Sequence, residues 1–216
     1  MIDDNDYYSD ALDFNADDPF LDAAFDDDGL DSRDRITPRS LRRRLKQDLK
    51  KMGQRDALSA LVNKLPAKGE QIHLIASGKF NFWTFVPVVS TLLNRDIEAL
   101  YCGTWMVNIQ SVVELRAMLD AKLVKKSFWL VGNYLKSRDP TVFYQLTEAV
   151  KDRGWVQPLE THIKIILIAA PPYFLTITGS ANMSENKRLE GSQITNDKRL
   201  YEFYRDMFEE AKKNNA

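Results

Sequence analysis

Two short polar stretches flank an apolar hairpin in the C-terminal third of the chain. His162 and Lys164 stand at the start of the first apolar run, and Gly-Ser-Ala-Asn at 179–182 follows the second. An imidazole can attack as a nucleophile, and an ammonium, a hydroxyl and a carboxamide can hold phosphate oxygens. These are the groups that phosphoryl transfer needs. The stretch is therefore a candidate active site for phosphate chemistry, built on a hairpin.

The hairpin itself would position these groups. Strands are predicted over 162–169 and 172–178, and side chains two residues apart in a strand share a face. His162 and Lys164 are therefore expected to be neighbours on one face. The other face of the first strand is apolar, with Ile163, Ile165 and Leu167.

The combined pattern resembles the phospholipase D superfamily, whose motif is H-x-K-x4-D, then G-S-x-N, with a glutamate downstream. The matching residues here are His-Ile-Lys at 162–164, Gly-Ser-Ala-Asn-Met-Ser at 179–184, and Glu190. The chain also resembles single-motif members encoded by phages and mobile elements, which have a similar Arg-Leu-Glu ending and a closing helix. The likeness covers about 70–213 as an α/β plan, and only 162–190 is specific.

The resemblance implies a role for each polar residue. His162 would attack phosphorus to give a phosphohistidine, while Lys164 and Asn182 would hold the non-bridging oxygens. Ser180 would belong to the same oxygen-binding turn, and Glu190 would orient the imidazole. No metal or cofactor is expected, since the chain has two histidines and one cysteine.

Three further residues are candidate substrate contacts. Lys187 and Arg188 are close to the motif in sequence and could bind flanking phosphates, or could be solvated. Trp105 follows a predicted strand and could stack a base, or could be an anchor in the core.

One position departs from the family pattern. Ala169 stands where the family has its aspartate. In the tyrosyl-DNA phosphodiesterase branch, which the resemblance also covers, the acid is likewise absent from active enzymes. A working phosphodiesterase and a catalytically degenerate nucleic-acid-binding module both remain open. A phospholipid hydrolase or transferase is a third possibility.

The leaving oxygen also needs a proton donor, which the superfamily supplies from a second motif. The only other histidine, His73, lies within the predicted strand QIHLIA with no lysine two residues on. The resemblance therefore implies a homodimer that places two His162 side chains across a two-fold axis. His73 itself is expected to be a strand histidine satisfied by local hydrogen bonds.

Charge is distributed unevenly along the chain. Residues 1–34 contain thirteen Asp and one basic residue, whereas the other 182 residues carry 29 Lys and Arg against 18 Asp and Glu. The basic body favours a polyanionic partner, most simply DNA or another nucleic acid. Residues 1–36 are predicted to be a disordered acidic tail, either solvated or docked as a phosphate mimic. Residues 37–66 are predicted to form a basic amphipathic helical segment.

Residues 67–216 are predicted to form one α/β domain. Apolar strands alternate with helices, which predicts a mixed, largely parallel β-sheet with helices on both faces. Strands are predicted over 71–76, 97–102, 127–131, 162–169, 172–178 and 191–195, and helices over 81–94, 107–120, 141–153 and 196–213. The N-terminus lacks a signal-peptide pattern, and the longest apolar run is short and interrupted. We therefore expect a soluble protein without a membrane partner, located in the cytoplasm of a bacterium or a phage-infected host.

Overall fold

The computed structural model describes residues 52–77, 81–184 and 189–214. The predicted acidic tail and residues 37–51 of the predicted basic segment lie outside the described residues. Within that segment, residues 52–61 are helical and are labelled α1. Leu58 and Val62 are buried, so this part of the segment packs into the apolar core.

Seven described strands form one sheet. They are β1 Gln71–Ser77, β2 Ala99–Thr104, β3 Ser127–Gly132, β4 Gly154–Leu159, β5 Ile165–Ala170, β6 Tyr173–Gly179 and β7 Leu189–Asn196. Their order across the sheet is β1-β7-β6-β5-β2-β3-β4. The central strands β5 and β2 are apolar and buried, as expected for strands covered on both faces.

The sheet is mixed, as predicted. Strands β2, β3 and β4 are parallel neighbours, whereas β5, β6, β7 and β1 join the sheet through antiparallel pairs. Strands β1 and β6 nevertheless run in the same direction as β2, because each lies an even number of antiparallel pairings away from it. The strands thus share a dominant direction, and parallel pairing is confined to one half of the sheet.

Helices cover both faces of the sheet. After a 3₁₀ turn at Phe82–Thr84, they are α2 Phe85–Leu93, α3 Ile109–Asp120, α4 Asn133–Arg138, α5 Pro140–Val150 and α6 Lys198–Asn214. Side chains of α1, α2, α3 and α5 join one large core on one face. On the other face, Tyr201 and Phe208 of α6 pack against β5 and its neighbours. No helix in the described ranges is long and apolar enough to cross a membrane.

Local sequence explains several helix boundaries. Helix α3 begins after Asn108, whose side-chain oxygen accepts a hydrogen bond from the Ser111 amide at 2.9 Å. Helix α5 begins after Asp139, which accepts from the Val142 amide at 3.1 Å, with Pro140 at the first helical position. Both are ordinary N-caps, each worth about 1 kcal/mol of stability.

Three elements differ from the sequence prediction. Strand β4 was not predicted, because Pro158 interrupts its pattern. As an edge strand paired only with β3, β4 tolerates that proline. The six-residue helix α4 is too short to give a periodic signal. Strand β5 begins at Ile165, so residues 162–164 precede the strand that was predicted to contain them.

Candidate active site

The candidate site lies at one edge of the sheet. The register pairs Gly103 near the end of β2 with Ile165 at the start of β5, and Ile165 with Thr178 near the end of β6. Residues just before β5 and just after β6 therefore meet beside the carboxyl ends of β2 and β3. Ligands of open α/β sheets bind outside the carboxyl ends of parallel strands. The fold thus brings both halves of the predicted motif to a position suited to ligand binding.

His162 and Lys164 are in direct contact. Lys164 Nζ lies 2.7 Å from His162 Nδ1 and donates to the His162 carbonyl oxygen at 2.6 Å. The lysine is buried, with 7% of its surface exposed, whereas the histidine is exposed. Burial lowers the pKa of Lys164 below that of an ordinary lysine, and the negative charge of Glu190 partly opposes that shift. The ammonium is therefore short of water and would be stabilised by an anion.

The contact at Nδ1 has a chemical consequence for the imidazole. Attack on phosphorus through Nε2 requires a lone pair there, and the proton must then reside on Nδ1. An ammonium donating to Nδ1 favours the opposite tautomer. A phosphate oxygen that draws Lys164 Nζ away from Nδ1 would remove this restraint. The contact between Lys164 and Nδ1 would therefore have to change before Nε2 could act as a nucleophile.

Ser180 and Glu190 form the second half of the site. The Ser180 hydroxyl donates to the Glu190 carboxylate, and the Gly191 amide donates to Ser180 Oγ at 3.1 Å. A backbone hydrogen bond of 3.1 Å from Ser180 N to Gly191 O closes the turn. Glu190 is thereby held at the site through Ser180, and its charge acts on Lys164. Its predicted role in orienting His162 stays a prediction.

Asn182 follows in the same turn, which is anchored in the core. Met183 is fully buried, and its amide donates to the Met106 carbonyl at 3.1 Å. The Asn182 carbonyl accepts from the Phe82 amide at 3.2 Å, so its backbone is fixed on both sides. Its side-chain Oδ1 is buried and has no hydrogen-bond partner within the described part of the chain. A buried amide oxygen of this kind can accept a hydrogen bond from a ligand.

Gly179 is needed for the close approach of this turn to the sheet. A Cβ at this position would lie 2.7 Å from Phe82 Cε2 and 2.8 Å from Ser192 Oγ. Both distances are too short for a carbon atom. A larger residue would therefore clash at position 179, which explains the glycine of the motif in this fold.

The predicted contact Trp105 lies beside His162, and two residues of α4 that sequence reasoning did not select, Tyr134 and Arg138, extend the site. The Trp105 ring lies 5.7 Å from the His162 ring and stacks on Tyr134 at 5.2 Å with an interplanar angle of 9°. The Arg138 guanidinium lies 5.3 Å from the Tyr134 ring centre and donates to its hydroxyl. We call Trp105, Tyr134 and Arg138 the aromatic row. The rule that residues after parallel strands share one sheet edge could have indicated Tyr134, which follows β3.

His73 lies apart from this site. It is exposed on β1, and its Nε2 is 3.1 Å from Gln71 Oε1, which is a local hydrogen bond of the expected kind. Two strands separate β1 from β5, and His73 pairs with Gln193, which pairs with Thr178 on the face opposite Lys164. An open pocket of about 540 Å³ extends from Ser180 to His73. Within one chain, the strand order and register thus separate His73 from the contact between His162 and Lys164.

The position of the missing family aspartate is also away from the site. Ala169 lies five residues beyond Lys164, roughly 16 Å along the strand. An odd spacing places the two side chains on opposite faces, and Ala169 belongs to the apolar cluster beneath α6. A carboxylate there could not touch a phosphate bound by Lys164. The absence of the acid therefore leaves the candidate catalytic groups unaffected.

This geometry makes a prediction about Ala169→Asp. The substitution should lower the free energy of unfolding by about 2 kcal/mol, because it places a charge in an apolar cluster. It should not add a group to the candidate site, because the carboxylate would lie on the other face of the sheet from Lys164. Urea unfolding of Ala169→Asp beside the uncharged Ala169→Asn separates the effect of charge from that of size. A several-fold gain in turnover for the aspartate variant would show that the acid belongs to the active site.

Lys187 and Arg188 lie outside the described residues. Across 52–77, 81–184 and 189–214, no group of three or more His, Cys, Asp or Glu side chains could hold a metal ion. The positive charge near His162 comes from Lys164.

Comparison with known proteins gives a likeness in structure and none in sequence. No protein-family model matches the sequence, and no curated protein is significantly similar to it. NucT from Helicobacter pylori superposes with a TM-score of 0.51 at 11% identity, covering 67% of this chain and 97% of that one. A phospholipase D family member, Nuc from Salmonella typhimurium, gives 0.47 at 11%, with coverages of 66% and 94%. The fold is phospholipase D-like.

A third structure is similar to this chain over a smaller part of its own length. Polyphosphate kinase from Porphyromonas gingivalis gives a TM-score of 0.49 at 12% identity over 64% of this chain. The chain spans about a quarter of that protein. The resemblance seen in the sequence motif is thus confirmed at the level of fold.

Proposed function

We propose that the chain is a phosphodiesterase acting on nucleic acid, with His162 as nucleophile and an active site completed by a second copy of the chain. The observation that carries the proposal is the exposed His162 imidazole in contact with the buried Lys164 ammonium. Few structural roles require a dehydrated cation beside an exposed nucleophile. Perturbed groups of this kind are concentrated at functional sites.

The reaction follows in two balanced steps. His162 Nε2 attacks phosphorus, a P–N bond forms, and the P–O bond to the leaving group breaks. The leaving oxygen takes a proton from a general acid. Water then attacks the phosphohistidine, the P–N bond breaks, and the water proton returns to the acid–base group. Lys164 and Asn182 stabilise the non-bridging oxygens in both steps, so that Lys164 supplies charge that a metal ion supplies in other phosphoryl-transfer enzymes.

The need for a general acid supports a homodimer. The chain has two histidines, and His73 lies on the other face of the sheet from Lys164. A second His162, brought across a two-fold axis, would supply the proton to the leaving group. A two-fold axis through the site makes the two imidazoles equivalent, so either can be nucleophile or acid.

Charge supports a nucleic-acid substrate. Outside the first 34 residues the chain has a net charge of +11, and residues 35–51 carry +7 of it. That segment lies outside the described residues, so its position relative to the site is open. Beside the site, Arg138 adds a cation and Trp105 an aromatic ring. Phosphate contacts of this type supply most of the affinity for nucleic acid.

Mixed dimers test the composite site. Wild-type and His162→Ala chains with different tags are co-expressed at several ratios, and cleavage of a 5′-labelled oligonucleotide is measured with a metal chelator present. If each site needs two copies of His162, activity falls with the square of the wild-type fraction. A monomeric site gives a linear fall, which would contradict dimer completion. Mixtures of wild type with the His73→Ala variant serve as the control and should keep full activity.

The same assay separates the alternatives. Oligonucleotide binding without cleavage by the wild-type protein contradicts the proposal and favours a degenerate binding module. Headgroup release from phospholipid vesicles without oligonucleotide cleavage would assign the substrate to lipids instead. Loss of cleavage in chelator, restored by a divalent cation, would overturn the role given to Lys164.

A further inference from the structure

The aromatic row has features that structural support alone does not explain. Tyr134 is 40% exposed although its ring stacks in parallel on Trp105. Helix α4 has a separate anchor in Leu135, which is fully buried, so Tyr134 is not needed to hold the helix on the sheet. The row begins at the His162 ring and leads outward to an exposed arginine. The row is therefore a series of planar side chains that extends from the His162 ring to the protein surface.

The backbone is shaped to admit this row. A Cβ at Gly132 would collide with the Trp105 ring and lie 2.8 Å from its carbonyl oxygen. Gly132 is the last residue of β3, directly before α4. The end of β3 thus makes room for Trp105 and, two residues later, presents the ring that stacks on it.

Resting on the function proposed above, we propose that the aromatic row binds the unpaired nucleobase next to the scissile phosphate. The base stacks on the Tyr134 ring, and the Arg138 guanidinium moves from that ring to the adjoining phosphate. Every base has a π-face, so the subsite selects single-stranded nucleic acid with little base preference. In a duplex the corresponding face is covered by the neighbouring base pairs.

Replacing the Arg138 contact on the Tyr134 ring by a stacked base should increase affinity. Stacking of a base on an aromatic side chain contributes about 5- to 150-fold in affinity. An exposed cation–π contact such as that between Arg138 and Tyr134 contributes only about 2- to 5-fold. Arg138 is exposed, and exposed side chains change rotamer within nanoseconds. The arginine also gains a charge-assisted contact when it reaches the phosphate.

The test uses full-length protein and single-stranded oligonucleotides that carry 2-aminopurine at one position beside the scissile bond. Stacking quenches the fluorescence of this base. Quenching at saturation should be strong in the wild type and in Tyr134→Phe, which keeps the ring. It should be lost in Tyr134→Leu, with affinity lowered about 5-fold or more. Tyr144→Leu removes a more exposed tyrosine, from α5, and should match the wild type.

A second measurement locates the nucleotide that the subsite binds along the oligonucleotide. An abasic nucleotide is moved through successive positions, and kcat/KM is measured for each substrate. The wild type should lose activity at one position adjacent to the cleaved bond, and Tyr134→Leu should show no such position. Thermal unfolding of each variant shows whether the leucine protein is folded, and Tyr134→Gln replaces it if it is not.

The outcomes distinguish this inference from the proposed function. Equal quenching in wild type, Tyr134→Leu and Tyr134→Gln overturns the subsite, whether or not the protein cleaves the oligonucleotide. Quenching that depends on the Tyr134 ring in a protein that cleaves nothing supports the subsite and contradicts the phosphodiesterase. A duplex that binds as tightly as the single strand, with the same dependence on Tyr134, also overturns the inference.

Discussion

We expect His162→Ala to reduce phosphodiester cleavage by about 10⁴- to 10⁶-fold, the loss seen when a catalytic nucleophile is removed. The fold should remain intact, because His162 is exposed and precedes β5. Surface substitutions of this kind change stability by about 0.5 kcal/mol or less. Oligonucleotide affinity should be nearly unchanged, since Lys164 and the aromatic row remain.

The matched control is His73→Ala, which removes the other histidine from an exposed strand position. Its cleavage rate should equal that of the wild type, and circular dichroism should show both variants folded. Equal activity of His162→Ala and wild type would show that His162 is not the nucleophile. A large loss in His73→Ala would show that His73 takes part in the reaction and would contradict a general acid supplied by a second His162.

The second large effect is expected for Lys164→Met. In the proposed mechanism Lys164 holds a non-bridging oxygen, so its removal should lower kcat by about 10²- to 10³-fold. Methionine keeps most of the apolar stem, so the packing around β5 is retained. The loss should fall on kcat more than on KM, because the lysine contributes most when charge develops on the phosphate oxygens in the transition state.

Lys164→Met should raise the free energy of unfolding at neutral pH although it lowers kcat. Burial lowers the pKa of Lys164, so the charged form is less favourable in the folded than in the unfolded protein. At a pH below the pKa of Lys164 in the folded protein, its charge lowers the free energy of unfolding by the full amount. This destabilisation disappears as the pH rises from that pKa to the pKa of an ordinary lysine. Lys164→Met should therefore be more stable than wild type at neutral pH, with the advantage lost at strongly alkaline pH.

Urea unfolding at several pH values and steady-state kinetics test this pair of effects. Lys151→Met, at the opposite end of the sheet where α5 leads into β4, is the control and should change neither quantity much. Its lysine is exposed and pairs with Glu148. A Lys164→Met protein that is both inactive and strongly destabilised would mean that the lysine is structural.

Much of this site could be predicted from sequence. The types and spacing of His162, Lys164, Ser180 and Asn182 carry the resemblance, and alternating apolar residues indicated the hairpin that brings them together. The mixed α/β plan followed from apolar strands separated by helices. These features are local in sequence, so a local pattern was enough to find them.

Other features depend on contacts between distant segments. Strand β4 is stabilised by pairing with β3, and its proline is acceptable because no strand among the described residues lies on its other side. Tyr134 becomes relevant only when β2 and β3 place it against Trp105. The consequence of Ala169 also depends on the tertiary structure, which shows that an acid at this position would face α6.

The central claim is that His162 forms a covalent bond to phosphorus. The most direct measurement is rapid mixing of the wild-type protein with excess oligonucleotide, followed by an alkaline denaturing quench that preserves phosphohistidine. Peptide mass spectrometry then locates any adduct. We expect a nucleotidyl or phosphoryl group on His162 that appears before steady state and is absent from His162→Ala. Cleavage without any adduct at all quench times, or with an adduct on another residue, would contradict it.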